Sequence, residues 1–169
     1  IVTFSQGKGT IRLVDVATAT VSTLAGGGSN KQTKISNLAS PLNTAEFAAA
    51  YDGVGSNALF RDIHQARFSH DGNTVFVMDE VYFNTGHRKG VLRKIDVGSA
   101  TVTTLFSPNA VSQYEYMPEF VVMNTGNLAV MMHYGETLFG TGGTQTSGIV
   151  EFQPDGTYVQ VLMDMQDST

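Results

Sequence analysis

Residues 51–60 read YDGVGSNALF, residues 61–80 read RDIHQARFSHDGNTVFVMDE, and residues 90–105 read GVLRKIDVGSATVTTL. Together they predict one four-stranded antiparallel unit. HQARFS is a short strand, and the Asp71-Gly72 pair that follows suits a tight hairpin, because glycine tolerates the positive φ that such turns demand. TVFVMD is apolar without alternation, as expected of a strand that is covered on both faces. GVLRKIDV and the β-branched TVTTLF supply the remaining two strands.

The outer half of this unit occurs a second time near the start of the chain. Residues 10–26, TIRLVDVATATVSTLAG, align with residues 91–107, VLRKIDVGSATVTTLFS. Both segments predict two strands joined by a similar turn, so the chain contains an internal repeat. The alignment pairs Arg12 with Arg93, Asp15 with Asp96, and Val16 with Val97.

A third copy follows in the last third of the chain. Residues 119–135, EFVVMNTGNLAVMMHYG, resemble residues 66–80, with Gly126 aligned to Gly72 and Met132 to Met78. Residues 147–164, SGIVEFQPDGTYVQVLMD, form the matching outer hairpin, with a Pro-Asp-Gly turn. A repeat of slightly more than fifty residues with four strands per copy is typical of a β-propeller blade.

We therefore predict an all-β fold made of about three four-stranded antiparallel blades of an incomplete, larger propeller. Propellers close with roughly four to eight blades, so the chain is expected to be a piece of a longer protein or to complete its ring with other subunits. A capping-box pattern predicts a short helix in NTAEFAAAY, residues 43–51. The predicted boundaries are a partial blade at 1–25, an inter-blade insertion at 26–62, a blade at 63–107, a linker at 108–117, a blade at 118–163 and a tail at 164–169.

The motifs TLAGGG, DGVGSNALF, DGNTVFVMD and RKGVLRKIDVGSATVTTL occur in an order that resembles the NHL-repeat β-propellers. The resemblance covers most of residues 1–107 and the outline of residues 118–163. It implies that Asp79, at the end of the second strand, is a structural aspartate, and we expect it to accept hydrogen bonds from neighbouring loop amides. The chain departs from the family where IHQAR replaces the usual Pro-x-Gly before the first strand.

Composition excludes several classes of partner. The formal net charge is −5 with only 10 Lys and Arg residues, whereas nucleic-acid binding requires clustered positive charge. RNA binding, known in some intracellular NHL proteins, is therefore disfavoured. Apolar runs are too short for a membrane-spanning helix, and the absence of cysteine excludes disulfides and thiolate metal sites. Low charge with abundant Thr, Ser and Gly favours an extracellular or cell-surface location.

Four histidines, His64, His70, His87 and His133, bear on metal binding. The resemblance raises this possibility because one NHL-related group, the peptidyl-amidoglycolate lyases, holds zinc on histidines in the propeller channel. His64 enters a first strand and His133 leaves a second strand, so these two are the candidate ligands. No paired histidine motif accompanies them, and we predict no metal and no other cofactor.

The remaining polar motifs do not match a catalytic or calcium-binding pattern. Asp52 begins a sequence similar to a calcium loop, but the twelfth position is Ile63 where a glutamate is required. Asp52 is therefore predicted to cap or turn the connection between blades. The sequence contains no nucleophile elbow that would support hydrolase chemistry.

The predicted function is that of a non-catalytic NHL-like propeller module in a larger extracellular or cell-surface protein. It would act in protein–protein interaction or in structural assembly, such as a filament or coat. Its expected partners are other blades or domains of the same longer chain and neighbouring subunits, without nucleic acid or membrane insertion. The alternative is a metal-dependent lyase or hydrolase with a site in the central channel that draws on His64, His133, Arg67 and Tyr134.

Overall fold

The computed structural model describes residues 1–5, 9–27, 44–82, 88–106, 119–134 and 146–165. His87, Asn43 and the predicted linker at 108–117 lie outside these residues. The described elements in chain order are β1 (Val2–Ser5), β2 (Thr10–Asp15), β3 (Thr20–Gly26), α1 (Thr44–Tyr51), β4 (Gly53–Val54), a 3-10 turn (Gly55–Asn57), β5 (Ile63–Phe68), β6 (Thr74–Tyr82), β7 (Arg88–Asp96), β8 (Thr101–Phe106), β9 (Phe120–Val122), β10 (Leu128–Tyr134), β11 (Thr146–Phe152) and β12 (Tyr158–Met165). The short helix predicted in NTAEFAAAY is confirmed by α1.

The strands form three antiparallel sheets, which confirms the all-β prediction. The first sheet has the order β1-β2-β3, the central sheet β4-β8-β7-β6-β5, and the third sheet β12-β11-β10-β9. The order follows the chain within each sheet, except that β4 joins the outer edge of β8. Each sheet is thus a meander built from local hairpins, as the turn residues predict.

The central sheet is covered on both faces. Because side chains alternate along a strand, Val75 and Val77 of β6 point to one face and Phe76 and Met78 to the other. The first pair packs in a cluster with the first sheet, and the second pair packs in a cluster with the third sheet. Residues 75–80 are all buried, which confirms the prediction for TVFVMD. The other principal members are Ile11, Leu24, Ala25 and Ile95 in the first cluster, and Leu92, Phe120, Leu128, Val130, Val150 and Phe152 in the second.

The outer hairpins of the first and central sheets are similar in detail. Ala19 and Ala100 occupy the same turn position, and both have a positive φ, 52° and 56°. The carboxylate oxygen Oδ1 of Asp15 accepts the N–H of Thr18, and that of Asp96 accepts the N–H of Ser99. The sequence repeat therefore corresponds to a repeated structure. Each sheet also has a β-bulge at the equivalent register, at Ile11/Arg12, Leu92/Arg93 and Ile149/Val150.

The third copy differs from the central one by a single residue in its inner turn. Gly72 and Gly126 both have a positive φ, as predicted for these turns. In the central sheet the N–H of Ser69 binds the carbonyl of Thr74, five residues on, whereas the N–H of Met123 binds that of Asn127, four residues on. The alignment of Met78 with Met132 is therefore wrong, because the shorter turn shifts the following strand by one position. By strand pairing, the counterparts of Val75, Phe76, Met78, Asp79 and Glu80 are Leu128, Ala129, Met131, Met132 and His133.

The two left-handed alanines lead to a stability prediction. An L-residue other than glycine pays roughly 1–2 kcal/mol in this conformation, while glycine costs about 0.5–1 kcal/mol in chain entropy. We expect Ala100→Gly to raise the free energy of unfolding by about 0.5 kcal/mol, and the double variant with Ala19→Gly by about twice that. Urea denaturation measures both effects. Ala100→Val is the matched control, because a β-branched residue at positive φ is strongly strained and should destabilise the fold. Equal stabilities of the valine and glycine variants would contradict the argument.

Candidate functional site

A buried arginine lies between the first and central sheets. Arg93 on β7 is fully buried, and its guanidinium lies over the ring of Phe60, 4.4 Å from the centroid. Its Nη2 donates to the carbonyl of Tyr51 and to Oδ1 of Asp52, each at 2.8 Å. Its Nη1 donates to the carbonyl of Leu59. A cation so placed is desolvated, and its charge is balanced by these oxygens.

Asp52 connects the segment between α1 and β4 to the central sheet. Its Oδ1 accepts a hydrogen bond from Thr104 Oγ1 at 2.8 Å, and its Oδ2 accepts the Thr104 N–H at 2.6 Å. Together with the Arg93 contact, these bonds attach Asp52 to both β7 and β8. The sequence suggested that Asp52 caps or turns this connection. Its carboxylate instead binds two strands that lie more than forty residues further along the chain.

Asp79 is the second carboxylate beside Arg93. Its Oδ1 accepts the N–H groups of Arg61, at 3.0 Å, and Asp62, at 2.9 Å, which confirms the expected bonds to loop amides. Its Oδ2 lies 3.6 Å from Arg93 Nη1. Burial raises the pKa of Asp79 to about 6, while Arg93 and the two amides lower it. These contacts hold the entry to β5 against β6 and β7.

A second polar cluster lies where β5 begins and β6 nears its end. Asp62 and His64 flank Ile63, and Glu80 follows Asp79 on the neighbouring strand. Ile63 pairs with Asp79, so alternation turns Asp62, His64 and Glu80 toward the opposite face of the sheet. Gln65 pairs with Met78, which leaves His64 as the extra residue of a β-bulge. Bulges re-aim side chains in this way, often beside functional sites.

These three residues form the Asp62–His64–Glu80 cluster. His64 Nε2 lies 3.0 Å from Glu80 Oε2, and one ligand atom from each of the three residues lies within 4.8 Å of the other two. Glu80 is 2% exposed, whereas the His64 side chain is 28% exposed and Asp62 is partly buried. The Glu80 N–H also donates to the Asp62 carbonyl at 2.9 Å. The cluster therefore combines an imidazole and two carboxylates on backbone that strand pairing holds in place.

The sequence predicts His64 as a candidate ligand but does not predict Asp62 or Glu80. The motif Asp-x-His at a strand entrance was readable, but Glu80 joins it only through the register of the β5–β6 pair. His133, the other candidate, lies on β10 at the position that corresponds to Glu80, and its backbone pairs with Ser147. The side chains of His133 and Tyr134 lie outside the described part of the chain. Arg67 is exposed on β5, and its Nη1 donates to the carbonyl of Ala66.

A shallow groove lies at the opposite end of the central and third sheets, beside their inner turns. It has a volume of about 350 Å³ and is lined by His70, Asp71, Asn124 and Pro154, among others. His70 is exposed, and its Nε2 donates to the carbonyl of Met123 at 2.7 Å, which links the two turns. His70 therefore forms a contact between the central and third sheets.

No protein-family model matches the sequence, and no curated protein matches it. Within the described residues, no helix is both long and apolar enough to span a membrane. The similarity to NHL repeats accordingly depends on the residues quoted above.

Proposed function

We propose that the chain is an NHL-like β-propeller module of a larger extracellular or cell-surface protein, acting in protein–protein interaction or structural assembly. One observation carries the proposal. The first and third sheets each have an outward face, which points away from the central sheet. The residues on these faces occupy the same register positions as the central-sheet residues that pack against the neighbouring sheets. Such faces suit further sheets of the same kind on either side, which is how propeller blades follow one another.

The outward face of the third sheet is the first of these. On the central sheet, Phe76, Met78, Leu92 and Phe106 pack toward the third sheet. Their counterparts, by strand pairing, are Ala129, Met131, Ile149 and Met163. These alternate with the members of the second core cluster and therefore point away from it. Met163 is 53% exposed, and Val121, which pairs with Ala129, is 59% exposed. Glu151, which pairs with Ala129, lies on the same face, and its carboxylate accepts hydrogen bonds from Asn127 and Gln160. The exposed apolar residues around it are of the type that marks a packing surface.

The outward face of the first sheet is the second of these faces. Arg12 and Thr23 are the counterparts of Arg93 and Thr104, the two residues that hold Asp52. Both Arg12 and Thr23 are exposed. A preceding segment with an aspartate at the position of Asp52 would find the same guanidinium and hydroxyl on this face. The occupant that we propose for each face is a further four-stranded sheet, from the same longer chain or from a neighbouring subunit.

The buried charges support a structural role in preference to catalysis. Arg93, Asp52 and Asp79 direct their hydrogen bonds to one another, to the Thr104 hydroxyl and to backbone groups. Burying a paired charge in this way specifies an arrangement of segments. Support for an extracellular or cell-surface location comes from composition, with 15% charged residues and frequent Gly, Ser and Thr.

The assembly state of the 169-residue chain tests the proposal. We expect it to self-associate, because two sheet faces that favour packing remain in water. Met163→Asp should shift the mass measured by light scattering or sedimentation toward that of a monomer, because it places a charge on the third-sheet face. Val54→Asp is the matched control, since Val54 is 54% exposed on the edge strand β4 of the central sheet and belongs to neither outward face. A monodisperse wild-type monomer with cooperative unfolding would refute the proposal, as would equal effects of the two substitutions.

A further inference from the structure

We propose that Asp62, His64 and Glu80 bind a divalent first-row transition-metal ion, with one imidazole nitrogen and one oxygen from each carboxylate as ligands. This inference is independent of the proposed function, because it rests on the geometry of one corner of the central sheet. That corner keeps its geometry whether or not further sheets pack on the outward faces.

The spacing of the donor atoms suits a single ion. Zinc binds imidazole nitrogen and carboxylate oxygen at about 2.0–2.2 Å, so two ligands of one ion lie roughly 3–4 Å apart. His64 Nε2 and Glu80 Oε2 are hydrogen-bonded at 3.0 Å, and a zinc ion would replace the proton between them and take both atoms as ligands. The full set lies within 4.8 Å, so small rotations of the partly exposed His64 and Asp62 side chains bring all three to bonding distance.

The backbone around the cluster is held before any ion arrives. Glu80 lies on β6, which pairs with β5 on one side and with β7 on the other. The Asp62 carbonyl accepts the Glu80 N–H, and the Asp62 N–H donates to Asp79, itself beside Arg93. Ligands supported in this way lose little freedom on binding. The partial exposure of His64 and Asp62 gives the ion a path from solvent.

The donor set indicates the class of metal. Imidazole favours zinc and its first-row neighbours, whereas calcium and magnesium prefer sets made of oxygen alone. Three protein ligands leave at least one coordination position for water, as in open zinc sites. Zinc is therefore the probe of choice, with calcium as the comparison.

The test is zinc titration of the metal-stripped 169-residue chain near pH 7.5, by calorimetry or equilibrium dialysis. We expect one zinc per chain with a micromolar or tighter Kd, and calcium binding at least about 100-fold weaker. Asp62→Asn, His64→Gln and Glu80→Gln should each weaken zinc binding by about tenfold or more. His70→Gln is the matched control, because His70 is an exposed histidine bonded to a turn carbonyl, and its loss should leave the Kd unchanged.

A second measurement keeps the inference testable if a substitution disturbs folding. Saturating zinc should raise the Tm of the wild-type chain by about 5 °C or more, because an ion bound only to the folded state stabilises it. The increase should be lost in Asp62→Asn, which alters a partly exposed side chain, and retained in His70→Gln. Absence of stoichiometric zinc binding would overturn the inference. Equal losses for His64→Gln and His70→Gln, or calcium bound as tightly as zinc, would overturn it as well.

Discussion

Replacing Arg93 with methionine is expected to lower the free energy of unfolding by about 3–5 kcal/mol. Methionine preserves much of the length and volume of the side chain, so the loss is chiefly one of charge and hydrogen bonds. The substitution removes the cation that the carboxylates of Asp52 and Asp79 both contact. It also removes the donors to the carbonyls of Tyr51 and Leu59. Domains have a total stability of about 5–15 kcal/mol, so this change removes a large part of it.

Arg12→Met is the matched control for this prediction. Arg12 occupies the same register position on the first sheet as Arg93 on the central sheet, but it is exposed. We expect its substitution to change the free energy of unfolding by about 0.5 kcal/mol or less. Both substitutions are best measured by urea denaturation in the Met163→Asp background, so that self-association does not contribute. If they have equal effects, the buried network around Arg93 is not what stabilises the central sheet.

The parts of the fold that the sequence predicts are those set by local pattern. The Asp-Gly turn before β6, the apolar β6 strand and the short helix α1 each follow from residues within one element. The sequence also predicts the repeat of the two hairpins that contain Arg12 and Arg93, because neither hairpin has an insertion relative to the other. The structural role of Asp79 is implied by the resemblance to NHL repeats, and its two amide partners, Arg61 and Asp62, lie immediately before the adjacent strand β5.

The parts that escaped prediction depend on contacts between distant segments. Nothing near Asp52 in the sequence indicates that its partner is Arg93, because the two meet only when the α1–β4 segment folds over the central sheet. The shift of β10 by one position follows from a turn shortened by one residue, which an alignment without gaps does not reveal.

The candidate metal cluster shows the same limitation. The residue type of His64 and its place at a strand entrance indicate a candidate ligand. Its neighbours, Asp62 and Glu80, become ligands only because a bulge at His64 and the β5–β6 register bring the three together. A bulge depends on pairing between strands and has no local signature in IHQAR. Predicting such a site from sequence therefore requires the register of the sheet as well as the residue types.

Gly26→Ala is the second substitution with a large expected effect, about 3–5 kcal/mol of destabilisation. Gly26 ends β3 with a φ of 75°, and a Cβ built on it would lie 2.0 Å from the carbonyl oxygen of Gly9 and 3.0 Å from a ring carbon of Phe60. Backbone cannot move aside as a flexible side chain can. The end of β3 would have to move away from Gly9, next to its partner strand β2, and press on Phe60, whose ring lies over the Arg93 guanidinium. The substitution should therefore also disturb the hydrogen bonds around Arg93.

Gly72→Ala separates the close contact from the cost of the backbone conformation. Gly72 has a φ of 74°, nearly that of Gly26, but a Cβ there meets nothing within 4 Å. It should therefore cost only the left-handed strain, about 1–2 kcal/mol. The difference between the two variants in urea denaturation then measures the approach of β3 to Gly9 and Phe60. Because Gly26 acts through Phe60 on Arg93, Gly26→Ala and Arg93→Met should together cost less than the sum of their separate effects. Equal costs of the two glycine substitutions would show that the contact between Gly26 and Gly9 does not restrict the fold.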